Sequence, residues 1–219
     1  MAAETLLAYA LGLPALGMII ALSLGFLSWN SAKESMTRKA KRVPTGRLFV
    51  LLQISVIPLL FGIAIYILYL GRIDDLPAAQ IEWGALAYGF PGMMAGLVHG
   101  IVFHRGVAHA IATPRDFGPT VVLSVLPATA ALFGLSLSFL ILGLGSPGPA
   151  SASVVVEAAR QSALYMSGGS LAVPAMAYAM VRAWNFRSLE TWRKALLVGA
   201  AFDVVVLLGF TLSFLALHP

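Results

Sequence analysis

The sequence predicts an all-α integral membrane protein with six transmembrane helices, arranged as three helical hairpins. The first observation is that 59% of the 219 residues are hydrophobic, whereas only 14 are basic and 9 acidic. A soluble domain carries about a quarter charged residues. The second is that the few charges leave six long apolar stretches between them. This composition argues against a soluble globule, a nucleic-acid-binding protein and a disordered chain.

Each predicted helix rests on a stretch of about 20 apolar residues, the length that crosses the hydrocarbon core. The stretches are too long and too continuous to be strands of a barrel. The first has no basic region before it and exceeds the core of a signal peptide, so we expect it to be retained. We predict spans at about 5–32, 48–71, 83–112, 118–145, 155–184 and 192–217.

The basic residues predict both the hairpins and their orientation. Twelve of the 14 lie in the loops after the first, third and fifth spans or at the span ends beside them, and only Arg72 and Arg160 lie on the opposite side. Loops rich in Lys and Arg face the cytoplasm. We therefore expect cytoplasmic basic loops and non-cytoplasmic termini. The predicted hairpins cover residues 1–76, 77–150 and 151–219.

A repeated pattern supports this division. The fourth span contains GLSLSFLIL from Gly134, the sixth contains GFTLSFLAL from Gly209, and the second has a weaker version around Gly62. Internal triplication explains the pattern better than shared composition does. The odd-numbered spans resemble each other less closely, and internal triplication and shared composition explain that likeness equally well. Whether the first hairpin is a true repeat stays open.

The third span carries glycines on one helix face, where small residues let helix backbones approach each other closely. They are Gly89, Gly92, Gly96 and Gly100. We expect this span to form a tightly packed inner layer. The first and fifth spans contain fewer glycines, and we expect them to pack less closely.

Asp203 is the only acid in the middle of an apolar span. An ionised acid at that depth costs about 2.5–3.5 kcal/mol on insertion scales, so such a residue marks a functional site by default. We expect a neutral carboxyl when Asp203 faces lipid, and an ionised one when it meets a cation on a partner. The alternative is a structural acid that is hydrogen-bonded to a neighbouring helix.

The remaining motifs do not predict a catalytic or metal site. His99, His104 and His109 follow each other at steps of five residues, which turns successive rings by about 140°. They cannot share a face as ligands would, so we assign them to a solvated cytoplasmic elbow. Without cysteine there is no disulfide or thiolate site. We find no Walker loop, nucleophile elbow or zincin motif, and we predict no cofactor and no metal.

One stretch resembles a known family. It contains PRDFG from Pro114 to Gly118 and LPAT from Leu126 to Thr129, with Gly134 after it. The stretch resembles the proteolipid (c or K) subunits of V-type and archaeal A-type rotary ATPases, in a triple-hairpin form. Their cytoplasmic elbow reads much like Pro-x-x-Phe-Gly, and the next helix reads Leu-Pro-Glu-Thr. The likeness is good over 84–142, fair over 190–217 and faint over 5–70.

The resemblance implies an ion-binding glutamate six residues before each repeat glycine. These positions hold Val56, Ala128 and Asp203, so two of the three sites lack a carboxylate. By position, Tyr178 and Gln53 could be polar partners of the site. For Tyr178 we favour an interfacial or packing role over this one, and Gln53 could simply bond a neighbour. These residues offer too few oxygen atoms to coordinate a hard cation, so we favour a proton over sodium.

The function that the resemblance implies is a proton-translocating membrane rotor subunit of a V/A-type ATPase, without a catalytic site of its own. Its partners would be copies of itself or other proteolipids in a ring within the bilayer, a stator subunit with a membrane arginine, and a central-stalk subunit at the cytoplasmic loops. One carboxylate per three hairpins would favour ATP-driven pumping. The alternative is a six-helix transporter or accessory protein whose repeat is architectural.

Overall fold

The computed structural model describes residues 2–38, 45–112, 114–143, 157, 160 and 189–217. Over these residues the chain is helical, with turns but without strands. The helices are α1 (Ala2–Leu6), which continues through a π-helical segment (Leu7–Gly12) into α2 (Leu13–Arg38), α3 (Thr45–Leu70), α4 (Ala78–Ala112), α5 (Pro114–Val125), α6 (Ala128–Ile141) and α7 (Leu189–Leu217). The predicted all-α fold class is confirmed.

Four helical stretches in the described part of the chain are long and apolar enough to cross a membrane: Ala3–Glu34, Thr45–Leu70, Ala78–His104 and Val121–Ile141. They coincide with the first four predicted spans, and the chain is a multi-pass membrane protein. The sixth predicted span falls within α7, where Asp203–Leu215 form a shorter apolar helix. The fifth predicted span, 155–184, lies outside the described residues. The count of six, the hairpin boundaries and the orientation therefore stay predictions.

Helix α4 is the centre of the described fold, because α2, α3, α5 and α6 all pack against it. Its contact with α2 is made backbone to backbone. A Cβ atom added at Gly96 would lie 2.6 Å from the carbonyl carbon of Gly17, and one added at Gly100 would lie 2.6 Å from the Cα of Ala21. Only a residue without a side chain fits at these two positions.

The other two predicted packing glycines face the same neighbour. A Cβ at Gly89 would meet the carbonyl of Tyr9, and a Cβ at Gly92 would lie 3.2 Å from the Pro14 ring. The glycine face of α4 thus runs along the whole N-terminal helix, which matches the inner position that the glycine pattern predicts for this span.

The prediction that the first span packs less closely is wrong. Gly17, Ala21 and Gly25 lie four residues apart on α2 and form a small-residue face of their own. Gly17 and Ala21 contact the α4 backbone, and the Phe103 ring covers Gly25. Close approach requires small residues on both helices, and alanine supplies the position that a count of glycines overlooks.

The first two hairpins share one packing contact, in which a glycine of the second helix meets an Ala-x-x-x-Pro pair of the first. The two sets are Gly62 with Ala10 and Pro14, and Gly134 with Ala87 and Pro91. The glycines are the ones that align in the repeated sequence pattern. This shared contact supports an internal repeat that includes the first hairpin.

The helical stretch of the fourth predicted span has a local interruption at Leu126 and Pro127. Helix α5 ends at Val125, Leu126 and Pro127 form a turn, and α6 begins at Ala128. Proline has no N–H to donate, and its ring crowds the carbonyl four residues earlier. The N–H of Thr129 bonds to the Leu126 carbonyl at 3.1 Å across the break.

A buried hydrogen-bond network joins α3, α4 and α6 at the end of the fold that carries the α3–α4 turn. The Tyr69 hydroxyl donates to the carbonyl of Ser138 at 2.8 Å. The Ser138 hydroxyl donates to the carbonyl of Gly84, also at 2.8 Å. Gln80 donates through Nε2 to the carbonyl of Ile141 at 2.5 Å. These bonds connect all three helices where apolar packing alone would permit sliding.

Helix α7 packs against α6 and, to a smaller extent, against α5. Among the α7 side chains that the structure describes, a narrow stripe is buried, and it includes Val206 and Ser213. The rings of Phe133 and Phe210 meet across the contact with their centroids 5.0 Å apart. The rest of the α7 surface exposes large apolar side chains, among them Leu197, Val204, Leu208, Leu212 and Leu215.

Candidate functional site

The candidate site lies where α7 meets the first turn of α6. Asp203 is at the midpoint of α7, and its side chain is half-buried. Its neighbours Val204 and Val205 are exposed. The carboxyl therefore stands at the edge of the helix contact, with one side against α6 and the other next to apolar surface.

The side chain that meets this carboxyl is Thr129. Its Oγ1 lies 2.6 Å from Oδ1 of Asp203. The same Oγ1 lies 2.7 Å from the backbone carbonyl oxygen of Leu126. A threonine hydroxyl in a helix often bonds to a carbonyl three or four residues earlier, and Thr129 does so in the first turn of α6.

Counting hydrogens assigns a protonation state to this geometry. A threonine hydroxyl has one hydrogen to donate, and a backbone carbonyl can only accept. If Thr129 donates to Leu126, its contact with Asp203 is a hydrogen bond only when the carboxyl carries a proton and donates it to Thr129. If Asp203 is ionised, Thr129 must donate to it and leave Leu126. Both contacts are satisfied together only with a protonated Asp203.

The distances also argue against a cation between these two oxygens. Even in a compact octahedral site, with metal–oxygen distances of about 2.0–2.1 Å, neighbouring ligand oxygens are about 2.9 Å apart. The 2.6 Å between Thr129 Oγ1 and Asp203 Oδ1 is shorter than that. This separation is that of a short hydrogen bond to a carboxyl group. Among the described residues, no three metal-ligating side chains form a group.

The other predicted site residues do not join Asp203. Ala128 is half-buried and adjoins Thr129 in the chain, whereas Val56 and Gln53 lie on α3. The Gln53 side chain is exposed. Tyr178 lies outside the described residues. The four predicted packing glycines of α4 face the N-terminal helix and do not contribute to the contact with Asp203.

The assignment of the histidines to a solvated elbow is wrong for His99. Its side chain is buried, and Nδ1 lies 3.0 Å from the carbonyl oxygen of Ser124. His104 is half-buried, with Nδ1 2.7 Å from the Ser28 hydroxyl. Helix α4 passes between neighbouring helices at these positions, which the spacing of residues along a single helix cannot reveal. The side chain of His109 lies outside the described residues.

Sequence reasoning missed Thr129 and the Leu126 carbonyl as parts of the site. The LPAT stretch resembles a family pattern whose glutamate position falls on Ala128, and the residue that forms the contact is the next one along the chain. The usable signal was a hydroxyl shortly after a proline inside an apolar span.

The comparison with protein families supplies an independent observation. Residues 83–141 match the family model of the ATP synthase C subunit. The match begins in α4 and ends with the last residue of α6, so it covers the second hairpin and includes Ala128 and Thr129. The resemblance to proteolipid subunits is thereby confirmed for this stretch, and Asp203 lies beyond it. A search of curated protein sequences finds no significant match to the chain.

Proposed function

We propose that the chain is a proton-translocating rotor subunit of a V/A-type rotary ATPase and that Asp203 is its proton-binding residue. The observation that carries the proposal is the Thr129 hydroxyl, which contacts Asp203 and the Leu126 carbonyl at once. This geometry suits a carboxyl that is neutral in the resting site. The match of the second hairpin to the ATP synthase C subunit supplies the rotary context.

The chemistry follows from the two states of the carboxyl. While Asp203 faces lipid, the proton stays on it, because a charge in hydrocarbon is expensive. When the ring brings Asp203 opposite a cation on the stator, the nearby positive charge stabilises the carboxylate and the proton leaves. Thr129 then turns its hydrogen towards the carboxylate, and reprotonation restores the first arrangement.

Asp203 would be the one carrier of each chain, since the equivalent positions hold Val56 and Ala128. A ring built of such chains moves one proton for every three hairpins. Fewer protons per turn favour ATP-driven pumping over synthesis, because the free energy of each ATP is then divided among fewer protons and can move them against a larger gradient. We further propose that the basic loops face the cytoplasm, where they contact the central stalk, and that the ring contains copies of this chain alone or mixed with other proteolipids.

Carbodiimide labelling tests this proposal, because the reagent modifies a protonated carboxyl in an apolar site. We expect covalent modification of Asp203 together with loss of proton uptake into vesicles that contain the assembled ATPase. The Asp203→Asn variant should show neither labelling at this position nor proton uptake. The matched control is Asp75→Asn, which changes an exposed acid that is ion-paired with Arg72 outside the spans. It should retain the labelling of Asp203 and a proton uptake that carbodiimide inhibits. An inhibited complex with unmodified Asp203 would refute the assignment.

One observation favours a second function. The contact between Thr129 and Asp203 is made within a single chain, because α6 and α7 both belong to it. A six-helix transporter or accessory protein would have this property. Native mass spectrometry in mild detergent separates the two: a large closed ring supports the rotor subunit, and a stable monomer or dimer supports the alternative.

A further inference from the structure

A second group of polar residues, called the cluster below, lies on α3, α4 and α5, three helices that pack against one another. In the described part of the chain, three buried side-chain atoms have no hydrogen-bond partner: Ser55 Oγ, His99 Nε2 and Ser124 Oγ. The exposed fractions of these side chains are 0%, 3% and 0%. Buried polar atoms without partners are rare in native proteins and call for an explanation.

The His99 ring connects the three helices. On one side, Nδ1 lies 3.0 Å from the Ser124 carbonyl of α5. The Leu51 carbonyl of α3 also faces the ring, and Ser55 is one helical turn beyond Leu51. The Phe103 ring stacks on the imidazole with the centroids 5.7 Å apart. The cluster is therefore enclosed by protein and by an apolar ring.

The chemistry of the ring shows what is missing. A carbonyl can only accept, so Nδ1 carries the hydrogen that is donated to Ser124. In a neutral imidazole, Nε2 is then an acceptor that requires a donor. The Leu51 carbonyl cannot supply one, and neither serine hydroxyl is bonded to Nε2. A water molecule can donate to Nε2 and to a carbonyl, and it can accept from both hydroxyls.

We propose that Ser55, His99 and Ser124 form an internal water-binding site that joins the first two hairpins within the membrane. Buried waters in proteins typically make about three hydrogen bonds to polar groups that would otherwise stay unpaired. This cluster offers three such groups from three helices. The site does not depend on Asp203 or on the rotor function. It gives His99, which has no part in the proposed proton transport, a structural role.

Solid-state NMR of the full chain in lipid bilayers, labelled with ¹⁵N-histidine, tests the site directly. We expect a neutral His99 ring that is protonated at Nδ1, with rapid magnetisation transfer from water to the ring. His99→Gln assigns the signal. An Nε2-protonated or doubly protonated ring, or one that receives no transfer from water, overturns the proposal.

Serine variants test the site independently, because water-binding hydroxyls and unpaired hydroxyls predict opposite changes in melting temperature when they are removed. If the hydroxyls hold water, the Ser55→Ala, Ser124→Ala double variant leaves that water with fewer partners. The melting temperature should then fall by about 2–4 °C, and water transfer to His99 should weaken. If the hydroxyls are unpaired, their removal raises the melting temperature. An unchanged or raised value contradicts the proposal. Ser136→Ala, an exposed serine bonded only within its own helix, is the matched control.

Discussion

The contact between α2 and α4 differs in kind from the contact between α6 and α7. The first brings backbones together through glycine and alanine, and little of it is accessible. The second is made by a narrow stripe of side chains, with Asp203 half-buried at its edge. Small residues thus build a rigid interior, and the one membrane-embedded carboxyl is kept outside it. The proton exchange proposed for Asp203 requires such a peripheral position, because a partner must reach the carboxyl.

The largest expected effect tests the rigid contact. In Gly96→Ala, the new methyl group collides with the backbone of Gly17, 2.6 Å away. Neither backbone can yield without moving a helix, so we expect a loss of about 1–3 kcal/mol in the free energy of unfolding, measured by thermal unfolding in detergent.

Gly118→Ala is the matched control for this variant. No atom lies within 4 Å of a Cβ at that position of α5, and alanine favours a helix over glycine by up to about 1 kcal/mol. We expect unchanged or slightly higher stability. Equal losses in the two variants would mean that α2 and α4 do not touch at Gly96.

A smaller effect tests the α6–α7 contact. Thr129→Val keeps the shape of the side chain and removes the hydroxyl that contacts Asp203. A hydrogen bond of about 1 kcal/mol then no longer has to break before the carboxyl reacts. The rate of carbodiimide labelling of Asp203 should rise about fivefold. Thr211→Val, which removes a hydroxyl bonded within α7 to Leu207, should label at the original rate. Equal rates in the two variants would show that Thr129 does not hold the carboxyl.

The smallest effect concerns Gln53, which is exposed on α3 and remote from the contact between α6 and α7. We expect Gln53→Leu to leave both proton uptake and Asp203 labelling within error of the original. A clear loss of uptake would mean that α3 of one chain approaches the Asp203 site of its neighbour. That result would move the site from within a chain to the boundary between chains.

The sequence is informative where a property is carried by one segment. Apolar length located four spans to within a few residues at most ends, and a lone acid in such a span singled out Asp203. Properties that depend on the contact between two segments could not be predicted from the sequence. The contact of Thr129 with Asp203 depends on how α6 meets α7, and the burial of His99 depends on α3 and α5. The helix break is an intermediate case, because Pro127 could have predicted it, but membrane helices often continue through proline. Helix α3 does so at Pro58.

The break at Leu126 and Pro127 couples charge to helix geometry. With Asp203 protonated, the Thr129 side chain adds a second bond to Leu126, beside the backbone bond at 3.1 Å. Once the proton has left, the hydroxyl turns to the carboxylate and Leu126 keeps the backbone bond alone. If Asp203 carries the proposed proton, the joint between α5 and α6 tightens with each proton gained and loosens with each proton lost. In that case the stiffness of the joint follows the protonation of Asp203.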